Sequence, residues 1–238
     1  MKRIIPAFFL LSTFSNTILA DVEIRMQAAD GTMTHFWVGE ESAKMAAQNA
    51  NGYAIINFKE QKQYMIDHFE KMVIDITDGI DGENPESSPN KPGSQSFPPS
   101  VTIEKVSDGP KIAGFNSNKY EVKAGDTLCS IEYLSTEPFR HSEMKQLFDT
   151  MAAINSTDIN NTELYSPCEQ ASLTLEQQHQ TLGIPLKSVT PAGEVTSEVV
   201  HFQVHKAPEG TYNFPANYKK ATISELLQEQ MGNISPHQ

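Results

Sequence analysis

Cysteine is nearly missing from this 238-residue chain, which holds only Cys129 and Cys168 and a single tryptophan, Trp37. Two isolated thiols exclude a cysteine-rich scaffold, and no His or Cys stands near them at ligand spacing to make a zinc module. Basic residues are also scarce, with 18 Lys and Arg against 30 Asp and Glu and a net charge of −12. So acidic a chain argues against nucleic acid or an anionic membrane surface as partner, because both reward clustered Lys and Arg. A nucleophile elbow, a zinc-protease helix, a glycine-rich phosphate loop and a paired-thiol redox motif are all absent. That counts against the commonest hydrolases, nucleotide enzymes and thiol oxidoreductases, and does not exclude a site assembled from distant residues.

The first residues do carry a signal. Met1-Lys2-Arg3 precedes an apolar run from Ile4 to Leu11, and Thr17-Ile18-Leu19-Ala20 leads to Asp21. A basic start, a short apolar stretch and a small residue at the boundary describe a secretory leader, with cleavage expected after Ala20. The competing reading, an uncleaved anchor, needs roughly 20 apolar residues, and Ser12, Thr13, Ser15 and Asn16 interrupt the run. The expectation is a soluble periplasmic protein with no transmembrane segment after cleavage. Losing Lys2 and Arg3 takes the net charge from −12 to −14. In an oxidising compartment Cys129 and Cys168, 39 residues apart, read first as one disulfide. Two unrelated buried thiols are the alternative.

Patterning predicts mostly strands. Val22, Ile24, Met26 and Ala28 alternate with Glu23, Arg25 and Gln27, which describes a half-buried strand. Asp30-Gly31 offers a tight turn into a return strand, Thr32 to Val38, and Ser42 to Gln48 fits a short strand or a helical turn equally well. Tyr53 to Phe58, Tyr64 to Asp67 and Met72 to Thr77 are aromatic and aliphatic runs separated by hairpin-length gaps, so an antiparallel meander is expected. Both faces of the first run are apolar. Such a sheet is covered on both sides, or covered on one and presents a greasy surface on the other.

Gly, Pro, Ser and acids dominate residues 79–99, which predicts a disordered loop inside a single domain over residues 21–231, followed by a flexible tail at 232–238. Further strands are expected over Ser100 to Val106, Lys111 to Ser117, Lys119 to Lys123 and Thr127 to Leu134. A helix is predicted from about Thr136, with Met144, Leu147, Phe148, Met151 and Ile154 on one face. A second starts at Ser166-Pro167-Cys168-Glu169, a cap with proline at its first turn and a glutamate placed for a capping box, and runs toward Gly183. A long hairpin, Ile184 to Thr190 and Glu194 to Lys206, should place Val200, Phe202 and Val204 on one face. A short helix from Thr222 closes the chain.

Three patterns invite chemistry. His201 and His205 share a strand face but stand about 13 Å apart along it, too far to chelate one metal, so solvent-facing histidines are expected. Asp67 and Asp75 fit polar-face positions better than a carboxylate pair. The sequons at Asn155, Asn160 and Asn233 are short patterns with a high chance rate. No catalytic residue, metal or cofactor is assigned.

Phe36-Trp37-Val38, the run Tyr53-Ala54-Ile55-Ile56-Asn57-Phe58 and Gln63-Tyr64-Met65-Ile66-Asp67 resemble a family of secreted bacterial domains of unknown function. Ile112-Ala113-Gly114-Phe115, Tyr120-Glu121-Val122, Gly183-Ile184-Pro185-Leu186, Phe214-Pro215 and Tyr218 extend the resemblance over most of the mature chain. That family is similar to lipoprotein carriers of the LolA/LolB type. The resemblance implies an α+β fold: a curved antiparallel sheet, an open half-barrel, with two or three helices on its concave side. The 79–99 loop and the two cysteines do not map onto the family pattern.

Two functions of different class follow. The first is a non-catalytic binding protein for a lipid, an acyl chain or a lipoprotein, with Trp37, Tyr53, Ile55, Tyr64 and Ile66 as candidate cleft residues. The second is a protein-interaction or stress-sensing module for an envelope protein, its cleft filled by its own helices.

Overall fold

The computed structural model describes residues 20–77, 100–155 and 165–232. The expected leader, the expected loop at 79–99, the expected tail beyond residue 232 and the sequons beginning at Asn160 and Asn233 lie outside the described residues.

Among the described residues twelve strands form one sheet, in the order β12-β6-β5-β4-β3-β2-β1-β11-β10-β9-β8-β7. In chain order they are β1 Val22–Ala28, β2 Met33–Val38, β3 Ser42–Ala47, β4 Gly52–Asn57, β5 Lys62–Asp67, β6 Met72–Asp75, β7 Val101–Asp108, β8 Asn118–Ala124 and β9 Thr127–Ser135. Then come helices α1 Ser142–Asn155 and α2 Pro167–Leu182, β10 Ile184–Val189, β11 Val195–Val204, β12 Lys219–Thr222 and α3 Ile223–Gly232. The two halves of the chain share the sheet, because β1 pairs with β11.

The meander is built by a repeated turn. Asn57 Oδ1 accepts the Glu60 amide at 2.9 Å, and Asp67 Oδ1 accepts those of Phe69 and Glu70 at 2.7 and 3.0 Å. Each turn then closes on a left-handed residue, Gln61 (φ 52°) or Lys71 (φ 52°). A short polar side chain satisfying the turn amides is what lets both connections stay tight. Ser42–Ala47 resolves as a strand, paired with β2 and β4.

Three expectations are corrected. The sheet is mixed, since β12 runs parallel to β6, whereas the half-barrel expectation was purely antiparallel. Lys111 to Ser117 is no strand: Ile112 bridges Phe115 across Ala113 (φ 47°) and Gly114 (φ 92°), and the apolar pair folds inward as a turn. Val200 does not share a face with Phe202 and Val204. Val199 pairs Met26 while His201 pairs Arg25, so Val200 is the extra residue of a bulge and is exposed. The first helix is preceded by a separate 3-10 turn over Glu137–Arg140.

The sheet is open, and both edges are blunted against further pairing. At one edge β7 carries a register break around Val106 and the charges Glu104, Lys105 and Asp108. At the other, β12 is four residues long and contributes Lys219 and Lys220.

Three apolar clusters among the described residues hold the fold. The largest joins Val22, Ile24, Val38, Ile56 and Phe58 to Met144 and Leu147 of α1 and to Ile184 and Leu186. A second packs Ala171 and Leu175 of α2 on Tyr120, Val122 and Leu134. The third, Ile55, Ile66 and Val73, is covered by Phe214 and Tyr218. Ile55 and Ile56 are both buried although they point to opposite faces, so β4 is covered on both sides.

Helix α2 begins as its cap predicts. Ser166 Oγ accepts the Glu169 amide, and the Glu169 carboxylate accepts the Ser166 amide at 2.6 Å. Its only fully buried side chains are Ala171 and Leu175, together about 3 kcal/mol of apolar burial. Cys168 in its first turn is bonded to Cys129 on β9, with Cα atoms 5.3 Å apart. Closing a loop of 39 residues restricts the unfolded chain by about 4 kcal/mol. The bond thus constrains this helix on a scale comparable with the burial of Ala171 and Leu175, and Leu182 adds a partly buried contact to the same cluster.

Candidate functional site

The register brings all five candidate residues to one sheet face. Lys44 pairs both Trp37 and Ile55, Ile55 pairs Tyr64, and Tyr53 pairs Ile66, and cross-strand partners point the same way. Tyr53, Ile55, Tyr64 and Ile66 form one apolar strip with Val73, whereas Trp37 stands at its end among histidines. This face is opposite the one that packs on α1.

The strip is covered by the chain itself. Between β11 and β12 the segment 205–218 leaves the middle of the sheet and reaches its far edge, crossing this face as a strap. His205 packs edge-on against Trp37 at 5.0 Å, Phe214 against Tyr64 at 5.0 Å, and Tyr218 against His68 at 5.7 Å. Polar contacts fix the ends: the Ala207 amide donates to Asp21 Oδ2 at 2.7 Å, and His68 Nδ1 lies 2.7 Å from the Tyr218 hydroxyl. Turns at Pro208–Thr211 and Gly210–Asn213 keep the backbone of the strap in hydrogen bonds without sheet pairing. Beneath it Ile55 and Ile66 are 1 % and 0 % exposed. Burial raises the Tyr64 pKa, and a hydrogen bond to Glu60 at 2.9 Å adds to that. Lys44 sits over the Tyr53 ring at 3.9 Å, and burial lowers its pKa.

Toward α3 the strip opens. A groove of about 360 Å³ is lined by Tyr64, Val73, Asp75, Lys220 and Glu225, and it shares Lys220, Ala221 and Glu225 with a neighbouring groove of about 470 Å³. Both linings mix charged with apolar residues, and in the larger groove Lys219, Lys220, Glu225 and Glu229 outnumber Ala221 and Leu226.

At the other end lies a cluster that the alternation pattern hides. Glu23, assigned by its pattern to the solvent face of β1, is buried. Its Oε1 accepts Arg25 Nε at 2.9 Å and Nη2 at 2.7 Å, and its Oε2 lies 2.7 Å from His205 Nε2 and 3.9 Å from His201 Nε2. His35 Nε2 stands 2.8 Å from Oε1 and 2.6 Å from Arg25 Nε. One nitrogen cannot donate to the carboxylate and accept from the guanidinium at once, so His35 serves one of them at a time. Burial alone would raise the Glu23 pKa, but hydrogen bonds from His205, Arg25 and His35 outweigh it and hold it at about 2.

This corrects the expectation for His201 and His205. His201 lies on β11 and His205 just beyond its end, and their half-buried side chains converge on one carboxylate. Arg25 stands among the imidazoles, and among the described residues no three His, Cys, Asp or Glu side chains converge so as to hold a metal. Asp67 and Asp75 are separated by the sheet, since Tyr64 pairs Asp75 while Asp67 pairs Met72 on the opposite face. Asp67 caps a turn, and Asp75 binds Lys62 at 2.6 Å.

No helix among the described residues is long and apolar enough to cross a membrane. No protein-family model matches the chain, and no curated protein matches it.

Proposed function

We propose that this protein is an exported, non-catalytic interaction module that binds an extended segment of an envelope protein along the strip from Trp37 to Tyr64. The observation that carries this reading is the occupancy of the strip by residues 205–218: a turn-rich segment with the aromatic rings Phe214 and Tyr218 four residues apart already lies there. A chain-covered strip offers an acyl chain no ready cavity, and the adjoining grooves mix Lys220 and Glu225 with their apolar walls. The filled-cleft reading of the sequence thus gains over the open one, with a strap in place of helices. The aliphatic floor of Ile55, Ile66 and Val73 favours a second reading, a lipid or lipidated partner admitted when the strap lifts. The likeness to lipoprotein carriers belongs to that reading.

A photo-crosslinking residue at position 53 or 64, introduced in cells, separates the two. The interaction reading expects a discrete protein adduct that excess synthetic peptide of residues 205–218 suppresses. A stoichiometric lipid adduct would move the assignment to the carrier, and no adduct from either position would sink both.

A further inference from the structure

We infer that α2 is a redox-releasable cover: reduction of Cys129–Cys168 detaches the helix from β8 and β9 while the rest of the sheet stays folded. The inference is independent of the reading given to the strap. It rests on how little else holds the helix. Only Ala171 and Leu175 of its sixteen residues are fully buried, with Leu182 partly buried beside them, and the crosslink restrains the chain on a scale comparable with that burial. The helix also carries a fault: His179 Nε2 is buried without a hydrogen-bond partner, against the ring of Phe148. Release returns that nitrogen to water, which favours the open form.

The cluster beneath α2 is distinct from the main core, which the helix meets at its edge where His179 packs on Phe148. Tyr120, Val122 and Leu134 form that floor and are 8 %, 1 % and 0 % exposed when α2 is docked. Neither cysteine is fully buried. The reductant is a dithiol of the thiol–disulfide oxidoreductase class. One of its thiolates attacks a protein sulfur and forms a mixed disulfide, and its second thiolate displaces that sulfur. The protein disulfide thereby gains two electrons and two protons as two thiols, and the dithiol leaves as a disulfide.

The test is hydrogen exchange of the full-length protein, read by mass spectrometry, before and after dithiothreitol treatment without denaturant, and on the double variant C129A/C168A. The expected result is loss of amide protection over residues 167–182, new binding of an apolar dye, and unchanged protection over β1 to β5. Three results would overturn the inference. They are retained protection of α2 after reduction, a bond that native protein keeps in dithiothreitol, and loss of protection across β1 to β5 as well. The double variant guards the test, since it reports the uncrosslinked state whether or not reagent reaches the bond.

Discussion

Replacing Glu23 by Gln keeps the side chain's shape and removes its charge, which isolates what the carboxylate does for its ring of donors. The fall of its pKa from 4.5 to about 2 corresponds to up to about 3 kcal/mol of stability. The side chain is 5 % exposed, yet Arg25, His35, His201 and His205 stand 34 to 45 % exposed. Water screens pairs so close to the surface, and about 2 kcal/mol is the figure to expect. The folded-state pKa lies below the unfolded one. This stability is therefore fully present above about pH 4.5 and is lost as the pH falls toward about 2. E23Q should be less stable than wild type by about 2 kcal/mol in urea at pH 7, and the gap should narrow steadily below pH 4.5. Trp37 is the only tryptophan and touches His205 at 5.0 Å, so its fluorescence follows this part of the fold. A difference under about 0.5 kcal/mol at pH 7, or one that does not shrink on acidification, would refute the electrostatic account.

Burial pushes the His179 pKa from 6.5 down to about 4, so the folded state prefers the neutral ring. Stability should fall by up to about 3 kcal/mol as the pH drops from about 6.5 toward 4, and H179L should abolish that slope in pH-dependent thermal melts. Gly183 ends α2 at φ 107°, and a Cβ there would collide with the carbonyl of Ser135. G183A should cost at least about 2 kcal/mol, and an unchanged melting temperature would contradict the close approach. Removing the Phe214 ring from Tyr64 should cost about 2 kcal/mol and speed amide exchange over residues 207–218, while β8 to β10 stay protected.

How much of this was legible differs by element. The meander and α2 announce themselves through local chemistry: Asn57 and Asp67 cap their own turns, and Ser166, Pro167 and Glu169 write the helix start into four residues. The disulfide followed from an even count of two cysteines and the export that the first residues led one to expect. The strap and β12 have no local signature. Lys219-Lys220-Ala221-Thr222 lacks alternation, and only its parallel partner Met72–Asp75, far away in sequence, makes it a strand. The Glu23 cluster was hidden for a related reason. Alternation places Glu23 on the polar face correctly, but what buries it is the return of the chain at His205. That all five strip residues share a face was readable from period-two spacing once pairing was known; that a returning segment covers part of that face was not.

The strap is held at its start by charge, His205 on Glu23, and near its end by rings, Phe214 on Tyr64. These anchors share no partner, so if they act locally the costs of E23Q and F214A should add to within about 0.5 kcal/mol. A strap that docks as one unit behaves otherwise. Once one anchor is lost and the segment lifts, the second has little left to contribute. The double variant should then be more stable than the sum of the two single losses by about 1 kcal/mol or more. The four proteins of this cycle can be compared in urea at pH 7 with Trp37 as reporter. Additivity would mean that residues 205–218 are two independent contacts joined by slack chain. It would also remove the basis for a segment that leaves the strip as a whole to admit a partner.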